Sequence, residues 1–186
     1  MNRISLDTNS SIDWLNSGKI LVHPTESIWG LGCDAFNMQA VNKIFKLKKR
    51  SKKKNFIILA SSIDHVSKNL CYLSKSDKEY LSKYWPGPYT FLIKYKEEIP
   101  HHLKNNTNKL AVRVSNHLPI KTLFKGFNGF MVSTSANISG QSNINDAKNI
   151  IDFFEYDDLA YYDESLGENK SASKIIDLES KAIIRE

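Results

Sequence analysis

Gly129-Phe130-Met131-Val132-Ser133-Thr134-Ser135-Ala136-Asn137-Ile138-Ser139-Gly140 is the stretch on which the reading of this chain turns. An apolar run, Gly129 to Val132, passes directly into short hydroxyl and amide side chains. A buried strand that ends at a ligand has this character. The strand holds the backbone still, and polar groups at its carboxyl end meet a polar partner. In open α/β sheets, ligands bind at those ends. Ser135 and Asn137 stand two apart, so in extended backbone they point the same way. The string also reads as a Ser/Thr/Asn turn capping a following helix. Two further strings of similar character weigh toward a ligand.

Outward from that stretch, strand-like and helix-like segments alternate, with no repeat, linker or domain boundary. Hydrophobic spacing predicts helices over 11–16, 38–47, 62–69, 76–84, 118–125 and 145–154, the last capped by Asn145. Strands are predicted over 19–22, 28–35, 56–60, 89–94, 110–114, 130–133, 159–162, 174–178 and 182–184. Gly30 and Gly32 allow close backbone approach. Trp85-Pro86-Gly87-Pro88 reads as a rigid turn, because proline fixes φ and forbids helix. The expectation is one α/β domain over residues 1–186 with a mixed sheet.

The 186 residues suffice for a real core, and 41% hydrophobic with 11% aromatic is a globular composition. A net charge of +6 favours anionic partners without choosing among nucleotides, phosphates and RNA. Two cysteines, Cys33 and Cys71, and no visible signal peptide or long apolar run give the expectation of reduced thiols in a cytoplasmic protein away from membranes. The histidines are scattered and no metal-ligand spacing occurs, so no protein-ligated metal is expected.

Lys46 to Lys54 holds seven basic residues in nine. It reads as a solvated loop, as an RNA patch, or as a ligand grip. If Lys48 and Arg50 are extended, both project to one side, where they would grip a carboxylate or a polyphosphate. His23-Pro24-Thr25-Glu26-Ser27 is a polar corner between apolar segments, with Thr25 a hydrogen-bonding group and Glu26 a partner for a cation. Arg113 lies within a strand, where it needs either a bound anion or a structural carboxylate. No P-loop, G-x-G-x-x-G or G-x-S-x-G string occurs. Cations and hydroxyls without an evident nucleophile suit phosphoryl or nucleotidyl transfer, where catalysis is mostly positioning and charge stabilisation.

Together these strings resemble the YrdC/TsaC family of threonylcarbamoyl-AMP synthases. The matching pieces are Pro24-Thr25-Glu26, Gly30-Leu31-Gly32-Cys33-Asp34, Lys48-x-Arg50, Trp85-Pro86-Gly87-Pro88-x-Thr90, Ala111-Val112-Arg113-Val114 and Ser133-Thr134-Ser135-Ala136-Asn137-x-Ser139-Gly140. They occur in the family's order over roughly residues 10 to 185. The resemblance implies a single-domain YrdC-like fold, a twisted mixed sheet with flanking helices around a basic concave cleft. It implies condensation of ATP, L-threonine and bicarbonate to threonylcarbamoyl-AMP and pyrophosphate. The product would feed N6-threonylcarbamoyladenosine at position 37 of tRNAs that read codons beginning with A, through a downstream threonylcarbamoyl transferase complex. Lys48, Arg50, Ser135 and Asn137 would form the catalytic and ATP-binding set, joined by Arg185. Thr25, Arg113 and Ser133 would hold threonine, with Arg113 on its carboxylate; Glu26 and Ser173 match more weakly. Mg2+ would come with ATP.

Ser51 and Asn55 stand where many relatives have proline, which implies a looser loop with Lys52, Lys53 and Lys54 available to phosphates or RNA. Leu59 and Lys174 replace a histidine and a threonine of longer relatives, and the length matches the short bacterial form. Two competing readings are a non-enzymatic module for tRNA or double-stranded RNA and a carbamoyl-transfer domain like that of hydrogenase maturation proteins.

Overall fold

Ile20-Leu21-Val22-His23 forms strand β2 with every residue buried, because both sides of the sheet it sits in are covered. The computed structural model describes residues 3–51, 55–169 and 171–186. The expectation about Lys52, Lys53 and Lys54 lies outside the described residues. Around β2 the chain runs β1 (Ser5–Leu6), α1 (Thr8–Asn16), β2, β3 (Gly30–Asp34), α2 (Met38–Leu47), β4 (Ile57–Leu59), α3 (Ile63–Asn69) and α4 (Lys75–Leu81). It continues with β5 (Tyr89–Lys94), β6 (Lys109–Arg113), α5 (Leu118–Gly126), β7 (Met131–Ser135), α6 (Ala147–Phe154), β8 (Leu159–Tyr162), β9 (Lys174–Asp177) and β10 (Ile183–Arg185). Among the described residues the strands form one mixed sheet in the order β1-β8-β2-β3-β7-β4-β6-β5-β9-β10. The expected α/β class with a mixed sheet is what the chain adopts.

Strand register sorts side chains into two faces. Leu21, Gly32, Ser133, Ile57 and Ala111 are cross-strand partners in sequence along the sheet and share one face. On that face α1 and α5 cover Leu21, Leu59, Met131 and Tyr162, packing Leu15, Ile120, Leu123 and Phe127 on them. The opposite face carries Val22, Leu31, Ile58, Val112 and Val132, which join Val41 and Ile44 of α2 and Ile150 and Ile151 of α6 in the larger core. Burial of a side chain such as Ile44 contributes about 1.5–3 kcal/mol.

Two local expectations are corrected. Helix α6 is capped by Asp146, whose carboxylate accepts the Asn149 amide at 2.9 Å, and not by Asn145. Asn145 instead gives its carbonyl to the Trp29 indole. The chain from Lys48 to Arg50 does not run as an extended strand, because Lys48 is helical and α2 closes in a Schellman turn. The Arg50 amide bonds the Phe45 carbonyl, the Lys49 amide bonds that of Lys46, and Lys49 adopts φ 47°.

Candidate active site

The helix-covered face is covered over only part of its area. Where α1 and α5 stop, the floor comes from four adjacent strands, with the small residues Gly30, Ser133, Ser135 and Ala111 around Ile57. A cleft of about 380 Å³ opens there, lined also by Thr25, Arg50, Arg113, Ser173 and Arg185. Its lining contains three arginines and no carboxylate among the described residues. An anion about 4 Å from one such cation gains roughly 4 kcal/mol at an effective dielectric near 20. A larger cavity of about 730 Å³ shares Asn55 and Phe56 with it, but lacks both the arginines and the strand-end hydroxyls. The smaller cleft is therefore the candidate site.

Lys48 is 1% exposed and stands behind the end of β7, not on the cleft wall. Its Nζ donates to the Ser135 carbonyl at 2.5 Å, the Asn137 carbonyl at 2.6 Å and Asn137 Oδ1 at 3.0 Å. Ser135 Oγ donates to the same Oδ1 at 2.7 Å; β7 ends at Ser135 and Asn137 lies in the bend beyond it, so the two meet through this turn and do not point the same way from an extended strand. Asn137 Nδ2 donates to the Gln141 carbonyl, and the Ser139 amide donates to the Lys48 carbonyl. A buried cation thus locks the Ser135 to Gln141 turn through neutral acceptors only. Burial and the nearby Arg50 push the Lys48 ammonium down to about 8. Arg50 donates from Nη2 to the Asn55 carbonyl at 2.8 Å and stacks over Phe56.

Arg113 has the structural carboxylate: its Nη2 is in ion-pair contact with Glu26 Oε1, which also accepts Ser115 Oγ at 2.7 Å. Arg113 Nε donates to the Gly87 carbonyl at 3.1 Å, so the Trp85 to Pro88 turn aims the guanidinium. Burial alone would raise the Glu26 carboxyl; the Arg113 charge and the Ser115 hydrogen bond more than offset it and hold it below its ordinary value. Thr25 Oγ1 donates to the Ile28 carbonyl at 2.6 Å and accepts the Ser27 and Ile28 amides. Its proton and both lone pairs are spent inside the corner, so the hydroxyl fixes the turn beside the cleft.

Residues 163–169 pass over this corner. The Gly167 amide bonds the Thr25 carbonyl and the Asn169 amide bonds that of Glu26. A Cβ at Gly167 would lie 2.7 Å from the Glu26 backbone, so glycine is required for the approach. Beyond it, Ser173 fixes Arg185: Nη2 donates to the Ser173 carbonyl at 2.6 Å, and Ser173 Oγ pairs with buried Thr90 Oγ1 at 2.8 Å.

The cleft therefore gathers Thr25, Arg50, Arg113, Ser133, Ser135, Ser173 and Arg185, while Lys48, Asn137 and Glu26 stand one layer behind. Sequence reading passed over Ser115, Gly167 and His23. His23 is wholly buried and its Nε2 lies 3.3 Å from Ser133 Oγ. The available signal was Gly30 and Gly32, whose missing side chains make room for its ring. No group of three or more His, Cys, Asp or Glu is placed to hold a metal among the described residues. No helix of the described residues is long and apolar enough to cross a membrane.

Fold and site define an α/β protein whose partly uncovered sheet presents an arginine-lined cleft for an anionic ligand. The chain belongs to the Sua5/YciO/YrdC family, whose model, described as telomere recombination, matches residues 13–186. It is 39% identical over 171 residues to a threonylcarbamoyl-AMP synthase of Saccharophagus degradans, covering 92% of this chain and 90% of that one. A threonylcarbamoyl-AMP synthase of Buchnera aphidicola is 37% identical over 175 residues, covering 92% and 98%. The crystal structure of P. abyssi Sua5 complexed with L-threonine superposes with a TM-score of 0.80 at 26% identity, covering 95% of this chain. This chain spans about half of that longer protein, 54%.

Proposed function

We propose that this chain is a threonylcarbamoyl-AMP synthase, a nucleotidyltransferase that condenses L-threonine, CO2 from bicarbonate, and ATP. The observation that carries the reading is the cleft in which Arg50, Arg113 and Arg185 converge with Ser133 and Ser135 at a strand end. The names of the two synthase relatives and the threonine in the P. abyssi structure support it.

The threonine amine adds to CO2, giving a carbamate and releasing a proton. A carbamate oxygen then attacks the α-phosphorus of ATP, the bond to the bridging oxygen breaks, and pyrophosphate leaves. No covalent enzyme intermediate is needed. Arg113, which lines the cleft with its guanidinium held by Glu26 and the Gly87 carbonyl, would take the threonine carboxylate. Arg50 and Arg185 would take phosphate oxygens and stabilise charge that develops on the leaving pyrophosphate. Ser135 would contact the nucleotide, with Lys48 and Asn137 holding it in place and adding an unneutralised positive charge from behind. Mg2+ would enter on the ATP phosphates, since the lining offers hydroxyls and amides but no carboxylate. When bound, it would neutralise charge on the β- and γ-phosphates. We assign the protein to the cytoplasm, with its product consumed by a tRNA-modifying transferase.

The test is pyrophosphate release with ATP, Mg2+, bicarbonate and threonine, omitting each in turn. Release that requires both threonine and bicarbonate supports the reading. ATP turnover indifferent to threonine would overturn it.

A further inference from the structure

We propose that His23 is a positioning residue that turns Ser133 into a hydrogen-bond acceptor for the amino group of the substrate amino acid. The inference rests on the threonine reading above and adds how the amine is recognised.

His23 ends β2, and Ser133 lies on β7, with β3 between them. Two strand spacings separate them, roughly 10 Å, more than a side chain normally crosses within a sheet. The intervening strand presents Gly30 and Gly32 on that face. A Cβ at Gly30 would lie 2.6 Å from His23 Nε2, and one at Gly32 would lie 2.9 Å from Cδ2. The imidazole therefore lies in a groove that the two glycines leave open and reaches Ser133 Oγ at 3.3 Å.

The other nitrogen sets the direction of that bond. His23 Nδ1 lies 3.1 Å from the Pro24 carbonyl, an acceptor only, so Nδ1 carries the proton. Nε2 then holds a lone pair, and Ser133 must donate to it. Protonation of the ring would reverse this, but burial pushes the imidazole down to about 4. Glu26 opposes that shift, while His117 and Arg113 add to it. The ring is neutral at physiological pH.

Ser133 thus spends its proton inside the sheet and presents lone pairs to the cleft. Thr25 does not compete for this role, because its hydroxyl donates to Ile28 and accepts the Ser27 and Ile28 amides. The Ser133 hydroxyl stands in a lining that has three arginines and, among the described residues, no carboxylate. Cations there select the acidic end of an amino acid and repel its amine. The amine, all of whose hydrogens are donors, needs an acceptor, and the Ser133 hydroxyl with its committed proton supplies one.

The test is calorimetric binding of L-threonine and of 3-hydroxybutyrate, which lacks the amino group, to the wild type, His23→Phe and His23→Gln. Phenylalanine keeps the ring volume but cannot accept a hydrogen bond; glutamine can. His23→Phe should weaken threonine about tenfold and leave 3-hydroxybutyrate within about twofold, and His23→Gln should recover much of the loss. Equal loss of both ligands, or no loss of threonine, would overturn the proposal. A His23→Phe protein that does not fold passes the decision to His23→Gln, which should bind threonine more than His23→Ala does. A wild type that binds no threonine would overturn the substrate reading itself, and the proposal with it.

Discussion

Lys48 holds its ammonium against three neutral oxygens with no carboxylate nearby to neutralise it. Its charged form is disfavoured by burial, so its folded value falls from the ordinary 10.5 to about 8. A base with a lowered folded value is protonated more readily when unfolded. The cost to the fold is complete below about 8 and gone above 10.5. Stability of the wild type should therefore rise relative to Lys48→Met as pH climbs from 8 toward 10.5, read by thermal unfolding across that range. A difference that is flat or falls with pH would contradict this placement. Arg50 should show the opposite balance, little structure and much chemistry. Arg50→Ala is expected to keep its unfolding midpoint within a few degrees and lose about 10²–10³-fold in pyrophosphate release.

The element α2 (Met38–Leu47) was legible to the residue, because Val41, Ile44 and their neighbours repeat at helical spacing and bury one face. Its end was not. The basic run after it carries no glycine, yet the chain closes a Schellman turn with Lys49 at φ 47°. A β-carbon there costs about 1 kcal/mol. Lys49→Gly should stabilise the protein by about 0.5–1 kcal/mol in urea unfolding, with activity retained. Destabilisation would mean that the Lys49 side chain contributes more than its backbone costs. Strand β1 escaped the sequence because two residues carry no periodicity. The α6 cap was misplaced by one position because Asn145 and Asp146 are both cap formers, and the choice depends on Trp29 claiming the Asn145 carbonyl.

At the scale of the molecule, the cleft exists because α1 and α5 cover part of one sheet face and small residues floor the rest. The small residues were readable: Gly30, Ser133 and Ser135 marked the site, and Arg50, Arg113 and Arg185 all reach it. Which cations face the ligand was not readable. Lys48 and Arg50 stand two apart but leave the helix through a left-handed turn, so one goes behind the strand end and the other onto the wall. Nor could spacing reveal His23, which meets Ser133 only across an intervening strand. The central claim is that this cleft joins threonine, one carbon of bicarbonate, and AMP. The most direct measurement is mass spectrometry of the product formed from ATP, threonine and carbon-13 bicarbonate. The account predicts an adenylate that contains threonine and carries the labelled carbon. An unlabelled threonyl-adenylate, or ATP turnover without any threonine-containing product, would contradict it.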